Sequence, residues 1–317
     1  MSEPLAEPFD AILELAGEPL REAMASVEQR LLEIAGIELH ALYTIEAGGK
    51  RLRPLLVFVA GLGSGADTAL CRAAAAVELI HSATLVHDDV LDDAPLRRGR
   101  VTIYAAAGRD AATSTGDLLF SSAFAELARN DSIAQLASLS AASSALARGE
   151  LMQRADAWRS DVTLERYLER CELKTARLFA AACELGALAG DGPPLGPFGR
   201  AVGLAFQILD DVLDITGPAE RTGKRPGADL LDGTVTLPLI LARERSPELA
   251  ALDLRDISGP DEAHRICKAI EATGAAEQAR QQALELVASS KRSLPDGSPQ
   301  QRRALELLAD GLVDRFA

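Results

Sequence analysis

Aromatic residues are scarce in this sequence: Phe, Trp and Tyr together make up 4% of 317 residues, and tryptophan occurs once. Cysteine and histidine are also few, with four of each, and no two cysteines show a Cys-x-x-Cys spacing. The cysteines lie in stretches rich in alanine or leucine, where a buried thiol is the ordinary interpretation. We therefore interpret all four as free buried thiols and expect a reducing, cytoplasmic setting.

Positive charge and long apolar runs are lacking as well. Lys and Arg number 33 against 47 Asp and Glu, which gives a net charge of -14. Because nucleic-acid binding needs a basic surface, we expect no nucleic-acid partner. No basic-then-apolar leader opens the chain and no apolar run reaches the length of a membrane span, so we expect no span either.

Strand signals are equally scarce, since the sequence shows neither sustained apolar–polar alternation nor an Asn-Gly turn. Helical periodicity dominates instead, and it predicts helical segments at 12–34, 69–92, 164–189 and 261–290, among others. Hydrophobic residues make up 48% of the chain, which is enough for a sizeable core. We expect a single all-α domain over residues 1–317.

One acidic pentapeptide, Asp-Asp-Val-Leu-Asp, occurs twice, at 88–92 and at 210–214. On a helix, residues four apart share a face, so the first and last aspartates of each copy stack one turn apart. The alternative is a solvated acidic helix face. However, the residues before each copy are apolar, and carboxylates at the end of buried helices repel one another unless a positive group joins them.

A hard divalent cation suits these two clusters. They offer carboxylate oxygens only, and Mg²⁺ typically bridges carboxylates to phosphate oxygens while keeping water ligands. The spacing excludes an EF-hand. Zinc is disfavoured because neither cluster contains cysteine and His87 is the only adjacent imidazole.

Basic residues stand near both clusters in the sequence. Lys50 and Arg53 follow a pair of glycines, which lets backbone approach a ligand closely. Arg97 and Arg98 follow the first cluster in a short turn, and Lys224 follows the second in a Gly-rich loop. Each motif alone is weak, because a Lys-Arg run is usually a solvated face. Together with metal ions they predict binding of two diphosphates.

Four segments in this order resemble the motifs of the trans-polyprenyl diphosphate synthase family. They are Gly-Gly-Lys-Arg-Leu-Arg-Pro at 48–54, His-Asp-Asp-Val-Leu-Asp-Asp-Ala-Pro-Leu-Arg-Arg-Gly at 87–99, Lys-Thr-Ala at 174–176 and Phe-Gln-Ile-Leu-Asp-Asp-Val-Leu-Asp at 206–214. The likeness implies the isoprenoid synthase fold, an antiparallel helical bundle around a deep central cavity, in a homodimer. It also implies condensation of isopentenyl diphosphate with an allylic diphosphate into an all-trans polyprenyl diphosphate.

The resemblance further implies roles for individual residues. Those expected to hold magnesium, three ions per active site, are Asp88, Asp92, Asp210, Asp211 and Asp214, with Asp89 in support. Those expected to bind isopentenyl diphosphate are Lys50, Arg53, His81 and Arg98. Those expected to contact the allylic substrate are Arg97, Lys174, Thr175, Gln207 and Lys224, with the Lys174 carbonyl and the Gln207 amide directed toward the cation formed in catalysis.

Small residues precede the first cluster, at Ala83 and Thr84. In the family that the sequence resembles, a Phe or Tyr five residues before the first aspartate stops the product early. Ala83 at that position predicts an open tunnel and a product longer than geranylgeranyl diphosphate, octaprenyl-like in length. The alternative is that small residues merely allow tight helix packing, with a short-chain farnesyl or geranylgeranyl product.

The sequence departs from the family at Thr234, where a lysine is frequent, so we expect one diphosphate contact to be weaker or to be supplied by Lys224 alone. Three rival functions remain. A terpene cyclase would not need a second diphosphate site or the second aspartate cluster. A non-catalytic subunit of a heteromeric synthase often loses acidic motifs that this chain keeps. A structural cation-binding protein would bind magnesium without turnover.

Overall fold

The computed structural model describes residues 6–64, 67–190, 192–217 and 226–314. Within these ranges the only strands are β1 (Leu96–Arg97) and β2 (Arg100–Val101), so the predicted all-α fold is confirmed. The helices are α1 (Ala6–Ala16), α2 (Glu18–Ala35), α3 (Leu39–Glu46), α4 (Leu52–Ala60), α5 (Asp67–Leu91), α6 (Ile103–Ala128), α7 (Ile133–Asp156), α8 (Leu164–Cys171), α9 (Arg177–Ala189), α10 (Gly196–Thr216), α11 (Ala228–Leu231), α12 (Leu237–Arg243), α13 (Pro247–Ala250), α14 (Pro260–Ala272), α15 (Ala275–Arg292) and α16 (Pro299–Asp314). A π-helix (Glu172–Ala176) joins α8 to α9, and a 3₁₀ turn (Leu254–Asp256) precedes α14.

The buried side chains form one continuous hydrophobic cluster that runs from Ile12 near the start of the described chain to Leu312 near its end. Nearly every long helix contributes to it. Because each amphipathic helix must bury its apolar stripe against another element, such a shared core is what a single domain requires. The described residues therefore share one core, and one domain over 1–317 stays a prediction.

Helix α5 is the central element and packs against α2, α4, α6 and α9. We expected no segment long and apolar enough to cross a membrane. Helix α5 corrects this expectation, because by length and composition alone it is such a segment. Of its most apolar 18-residue window, however, 67% is buried inside the fold, as expected for the core helix of a globular domain. The carboxyl end of this buried helix carries the first aspartate cluster.

Two of the predicted helices are each split in two by a glycine. The segment predicted at 12–34 is interrupted at Gly17, and the segment predicted at 261–290 is interrupted at Gly274; both glycines have a φ of 74°. Glycine adopts this left-handed conformation at little cost, and the helical hydrogen-bond ladder ends there. Periodicity misses the break because the apolar spacing continues through it. The short helix α3 was not predicted either.

A two-residue hairpin replaces the simple turn predicted after the first cluster. Leu96 pairs with Val101 and Arg97 with Arg100, and the connecting residues Arg98 and Gly99 have φ values of 52° and 75°. Two positive φ angles are typical of the type I′ turn, whose twist matches a β-ribbon. The hairpin holds Arg97 on a strand and Arg98 at its tip.

The helical segment predicted at 164–189 is confirmed, but it contains the π-helix. Glycines on both neighbouring helices allow close approach to it. A Cβ at Gly149 of α7 would lie 2.5 Å from the Lys174 nitrogen, and one at Gly203 of α10 would lie 2.8 Å from the Ala176 Cα. The π-helix is therefore clamped between α7 and α10. Such turns within α-helices are frequent at functional sites.

Candidate active site

The first aspartate cluster ends helix α5, and its three carboxylates have different environments. Burial raises the pKa of Asp88 to about 6, against the opposing effect of the Lys174 charge. Asp89 is buried, and its Oδ1 accepts a hydrogen bond of 2.6 Å from Arg97 Nε on the hairpin. The side chain of Asp92 is 47% exposed at the end of the helix. This cluster therefore runs from a buried carboxyl group to a solvated one.

Cations from α7 and the π-helix adjoin this cluster. Arg154 donates from Nη2 to Asp92 Oδ1 at 2.6 Å and from Nε to Glu150 Oε1 at 2.9 Å. Lys174 Nζ lies 2.5 Å from Glu150 Oε2. Sequence reasoning missed Glu150 and Arg154, because a Glu–Arg pair spaced four apart on a helix is an ordinary surface pattern.

The second aspartate cluster lies in the last turns of α10 and is held by neutral donors at its centre. Asp211 is buried; its Oδ2 accepts a 2.6 Å hydrogen bond from the Tyr167 hydroxyl and its Oδ1 accepts one of 2.8 Å from Gln207 Nε2. Burial nevertheless raises the pKa of Asp211 to about 7. Tyr167 was also missed, since nothing in the sequence distinguishes it from a core aromatic residue.

The last aspartate of this cluster caps a short helix. Asp214 accepts hydrogen bonds of 3.1 Å from the backbone amides of Ala228 and Asp229 at the start of α11. Burial raises the pKa of Asp214, and burial together with the Asp214 charge raises that of Asp229 well above its ordinary value. Asp210, by contrast, is exposed. Buried carboxyl groups are thus concentrated around the end of α10.

The π-helix connects the two clusters. Lys174 points toward Glu150 and Asp88 on one side, while the Thr175 hydroxyl donates to Gln207 Oε1 at 2.7 Å on the other. Consecutive residues of one turn therefore reach both acidic sites. This places Lys174, Thr175 and Gln207 between the two clusters.

The carboxylates fit a hard divalent cation in chemistry, although they are not arranged as a ready-made cage. Over the described ranges, no three His, Cys, Asp or Glu side chains converge closely enough to hold an ion by themselves. Mg²⁺ does not require such a cage, since it is usually bound by one or two carboxylates, water and substrate phosphates. Buried carboxyl groups with raised pKa values are stabilised by a cation, which supports the fit.

A basic pocket lies beside the first cluster. It is lined by His81, Asp89, Arg97 and Arg98, together with backbone at Gly48. Arg98 Nη1 donates to the Gly48 carbonyl at 2.5 Å, which joins the hairpin tip to the Gly-Gly segment. The motifs at 48–54 and 87–99 therefore meet in space. Clustered guanidinium groups make the pocket a suitable site for an anion.

Two of the predicted diphosphate ligands, Arg53 and His81, are partly buried in or near this pocket. The Arg53 guanidinium lies 4.7 Å from the centre of the Phe179 ring, and burial lowers its pKa to about 10. Within the described part of the chain, its Nε has no hydrogen-bond partner. Burial, with help from the Arg53 charge, lowers the pKa of His81 well below its ordinary value, so His81 is neutral. Lys50 is exposed. A partly buried arginine whose N–H groups are not all hydrogen-bonded can donate to an anion.

Of the remaining predicted residues, one lies outside the described part of the chain and the others do not line the basic pocket. Lys224 lies outside the described residues. Ala83 is fully buried and does not line the basic pocket, and the Thr84 hydroxyl donates back to the His81 carbonyl at 2.8 Å. The Thr234 amide donates to the Asp229 carbonyl at 2.8 Å, which ties the Thr234 segment to the second cluster.

Comparison with known proteins gives consistent matches. The model of the family described as polyprenyl synthetase matches residues 36–273. A heptaprenyl diphosphate synthase component 2 from Geobacillus stearothermophilus is 43% identical over 234 residues, covering 70% of this chain and 73% of that protein. A short chain isoprenyl diphosphate synthase from Methanothermobacter thermautotrophicus is 36% identical over 316 residues, covering 95% of this chain and 96% of that protein.

Solved structures show the same likeness. The crystal structure of a polyprenyl synthase from Caulobacter crescentus, complexed with calcium and isoprenyl diphosphate, matches with a TM-score of 0.84 at 34% identity, covering 97% of this chain and 98% of that one. The resemblance found in the sequence and the fold that it implied are both confirmed.

Proposed function

The chain belongs to the polyprenyl synthetase family, and we propose that it is a trans-prenyltransferase that condenses isopentenyl diphosphate with an allylic diphosphate. The observation that carries this proposal is the connection of two aspartate clusters through the Lys174–Thr175 turn, beside a basic pocket. Two acidic clusters together with a separate basic pocket suit two diphosphates. A cyclase binds one diphosphate and therefore has no need of a second diphosphate site.

In the proposed reaction the allylic carbon–oxygen bond breaks and the diphosphate leaves. The double bond of isopentenyl diphosphate then attacks the allylic carbon, a carbon–carbon bond forms, and a proton passes to the released diphosphate. Magnesium, when bound by Asp88, Asp92, Asp210, Asp211 and Asp214, would neutralise the charge of the leaving group. Arg97 contributes a guanidinium to the same task.

The residues of the π-helix orient the site in this proposal. Thr175 and Asp211 fix both ends of the Gln207 amide, so its oxygen has a defined direction and keeps a second lone pair. That oxygen and the Lys174 carbonyl can face a developing allylic cation. The apolar helices around them exclude water, which would otherwise quench the cation.

The basic pocket is proposed as the site of isopentenyl diphosphate. His81, Arg98 and the partly buried Arg53 are its proposed ligands, with Lys50 at the surface and the Gly48–Gly49 backbone close by. Guanidinium groups bind phosphate through paired hydrogen bonds, and a neutral, partly buried His81 can donate one more. Arg97, Lys174, Thr175, Gln207 and Lys224 are proposed to contact the allylic diphosphate.

We propose a product longer than geranylgeranyl diphosphate, because Ala83 offers no bulk to stop a chain growing along α5. The relatives named above include both a heptaprenyl diphosphate synthase component and a short chain synthase, so they support prenyl transfer without selecting a length. A homodimer, three magnesium ions per site and a cytoplasmic setting complete the proposal.

The test is turnover of the purified chain with isotopically labelled isopentenyl diphosphate and a series of allylic starters, with products read by mass spectrometry. The expected products are prenyl diphosphates longer than the starter by whole five-carbon units, formed only with Mg²⁺ and both substrates. A hydrocarbon formed from the allylic diphosphate alone would indicate a cyclase. No product from the chain alone, but product with a partner protein, would indicate a heteromeric subunit.

A further inference from the structure

Arg154 is the outermost cation of the first cluster and lies between two carboxylates. Its Nη2 donates to Asp92 Oδ1 at 2.6 Å and its Nε donates to Glu150 Oε1 at 2.9 Å. The side chain is 41% exposed, and that of Asp92 is 47% exposed. The guanidinium therefore occupies a proposed metal-binding carboxylate while remaining accessible from solvent.

Arg154 is held in position by Glu150 on its own helix more than by Asp92. Glu150, which it also contacts, is largely buried and is fixed in turn by Lys174 Nζ at 2.5 Å. The backbone of Lys174 is held in place, because Gly149 brings α7 directly against it. Charges thus alternate along Asp92, Arg154, Glu150 and Lys174, and the last of these faces Asp88. The half-exposed contact with Asp92 is the one that can open.

We propose that Arg154 is a resident counter-ion of Asp92, which competes with divalent cations for that carboxylate in the free enzyme and turns to the diphosphate once the cation is bound. The proposal rests on the proposed function, since it takes Asp92 as a metal-binding residue. Arg154 is a positioning residue for the metal site and a ligand of the substrate.

Competition follows from charge and geometry. A guanidinium and a divalent cation on the same carboxylate repel each other, and Arg154 already occupies Oδ1. Because solvent-exposed ion pairs are weak, displacement of Arg154 is feasible. The displaced guanidinium keeps its bond to Glu150, so it stays beside the cluster. A diphosphate arriving with the cation then offers it the paired oxygens that a guanidinium fork prefers.

The test compares Arg154→Gln with Arg159→Gln as a matched control. Arg159 is 46% exposed and forms a comparable two-bond pair with Asp161, at 2.9 and 2.7 Å, outside the site. Binding of Mn²⁺ to the full chain is measured by calorimetry and electron paramagnetic resonance. Binding of inorganic pyrophosphate is measured at saturating Mn²⁺. Thermal unfolding of each variant verifies that it is folded.

We expect Arg154→Gln to bind Mn²⁺ about two- to fivefold more tightly than the wild type, as loss of one exposed ion pair allows. Its affinity for pyrophosphate at saturating Mn²⁺ should fall by a similar factor, and Arg159→Gln should change neither. Unchanged or weaker Mn²⁺ binding by Arg154→Gln, or an equal change in the control, would overturn the competition. Unchanged pyrophosphate binding would overturn the transfer to diphosphate.

Turnover of the wild-type chain separates this proposal from the function on which it rests. If the wild type elongates allylic diphosphates and Arg154→Gln binds Mn²⁺ unchanged, only the role of Arg154 is wrong. If the wild type shows no turnover but Arg154→Gln binds Mn²⁺ more tightly, the counter-ion role holds and the proposed reaction is wrong.

Discussion

The two copies of Asp-Asp-Val-Leu-Asp have the same five residues and the same helical setting, yet the structure surrounds them differently. At the end of α5, Asp89 and Asp92 are each bonded to an arginine, Arg97 and Arg154 respectively. At the end of α10, Asp211 and Asp214 are bonded to a tyrosine, an amide side chain and two backbone amides. Among the residues that the structure describes, the first pair is hydrogen-bonded to full positive charges and the second pair to neutral donors, with the Arg170 charge acting on Asp211 as a smaller effect.

The difference shows that a motif does not determine its own electrostatics. Charged partners stabilise a carboxylate even when it is buried, whereas neutral donors only partly offset burial. The pKa of Asp211 accordingly rises to about 7 despite two short hydrogen bonds. We infer that Asp211 and Asp214 depend more strongly on a bound divalent cation than Asp89 and Asp92 do.

The largest expected effect comes from removing either cluster. Asp88→Ala and Asp210→Ala should each lower turnover by about 100-fold or more, because each removes a proposed metal ligand rather than core packing. Steady-state assays at saturating Mg²⁺ measure the loss, and circular dichroism should show an unchanged fold. Near-normal turnover in either variant would break the comparison, since that cluster would then not bind metal.

A smaller effect is expected from the buried donor of the second cluster. Tyr167→Phe leaves Asp211 without one hydrogen bond in a buried site, which should cost ~1–3 kcal/mol of unfolding free energy and lower turnover about tenfold. Urea denaturation and steady-state assays measure the two effects. Tyr104→Phe is the matched control, since the hydroxyl of Tyr104 also donates to a carboxylate, Asp93, but at the exposed surface. Equal behaviour of the two variants would contradict a special role for Tyr167.

The clusters should also differ in how pH affects stability. Asp88 and Asp211 have folded-state pKa values of about 6 and about 7, both above the unfolded value of about 3.9. The folded chain therefore binds more protons, and metal-free stability is highest below the unfolded pKa and falls as pH rises through about 4 to 7. Added Mg²⁺ should raise the unfolding midpoint more at pH ~8 than at pH ~5.5, because it binds the ionised groups.

Thermal unfolding of Asp211→Asn sharpens this point. The variant lacks the group with the higher pKa. Its stability should therefore stop falling at about pH 6, whereas that of the wild type should continue to fall to about pH 7. An identical pH profile for the two proteins would mean that Asp211 ionises normally.

The smallest effect on turnover is expected from the helices leading into the clusters. Ala83 and Ala205 lie five residues before the first aspartate of each copy, and both are buried. Ala83→Phe should shorten the main product while sparing the ionisation chemistry. Ala205→Phe, a similar overpacking change, should destabilise the chain without shortening its product. Mass spectrometry of the products measures the chain length for each variant. A wild-type product no longer than geranylgeranyl diphosphate would refute the open tunnel along α5.

The sequence predicted those features that repeat or are spaced regularly. The all-α fold follows from helical periodicity, and the two aspartate clusters stand out because carboxylates end otherwise apolar helices at 88–92 and 210–214. The breaks at Gly17 and Gly274 were not predicted. The apolar spacing continues through both glycines, and their positive φ angles are known only from the structure.

The partners of the clusters could not be predicted, because they come from distant parts of the chain. Tyr167 is 44 residues from the Asp211 that it contacts, and Arg154 is 62 residues from Asp92. Neither belongs to a motif, and each has an ordinary appearance in its own helix. The π-helix at Glu172–Ala176 could not be predicted either, since the glycines that lie closely against it, Gly149 and Gly203, are on other helices.

The central claim, that Asp211 and Asp214 depend more on a divalent cation than Asp89 and Asp92, is tested most directly at the matched last aspartates of the two copies. Calorimetric titration of Mn²⁺ into the metal-free chain, without diphosphate, compares Asp92→Asn with Asp214→Asn. Since Asp92 has Arg154 as a counter-ion and the described partners of Asp214 are backbone amides, Asp214→Asn should lose more Mn²⁺ affinity than Asp92→Asn. An equal loss, or a larger loss in Asp92→Asn, would contradict it.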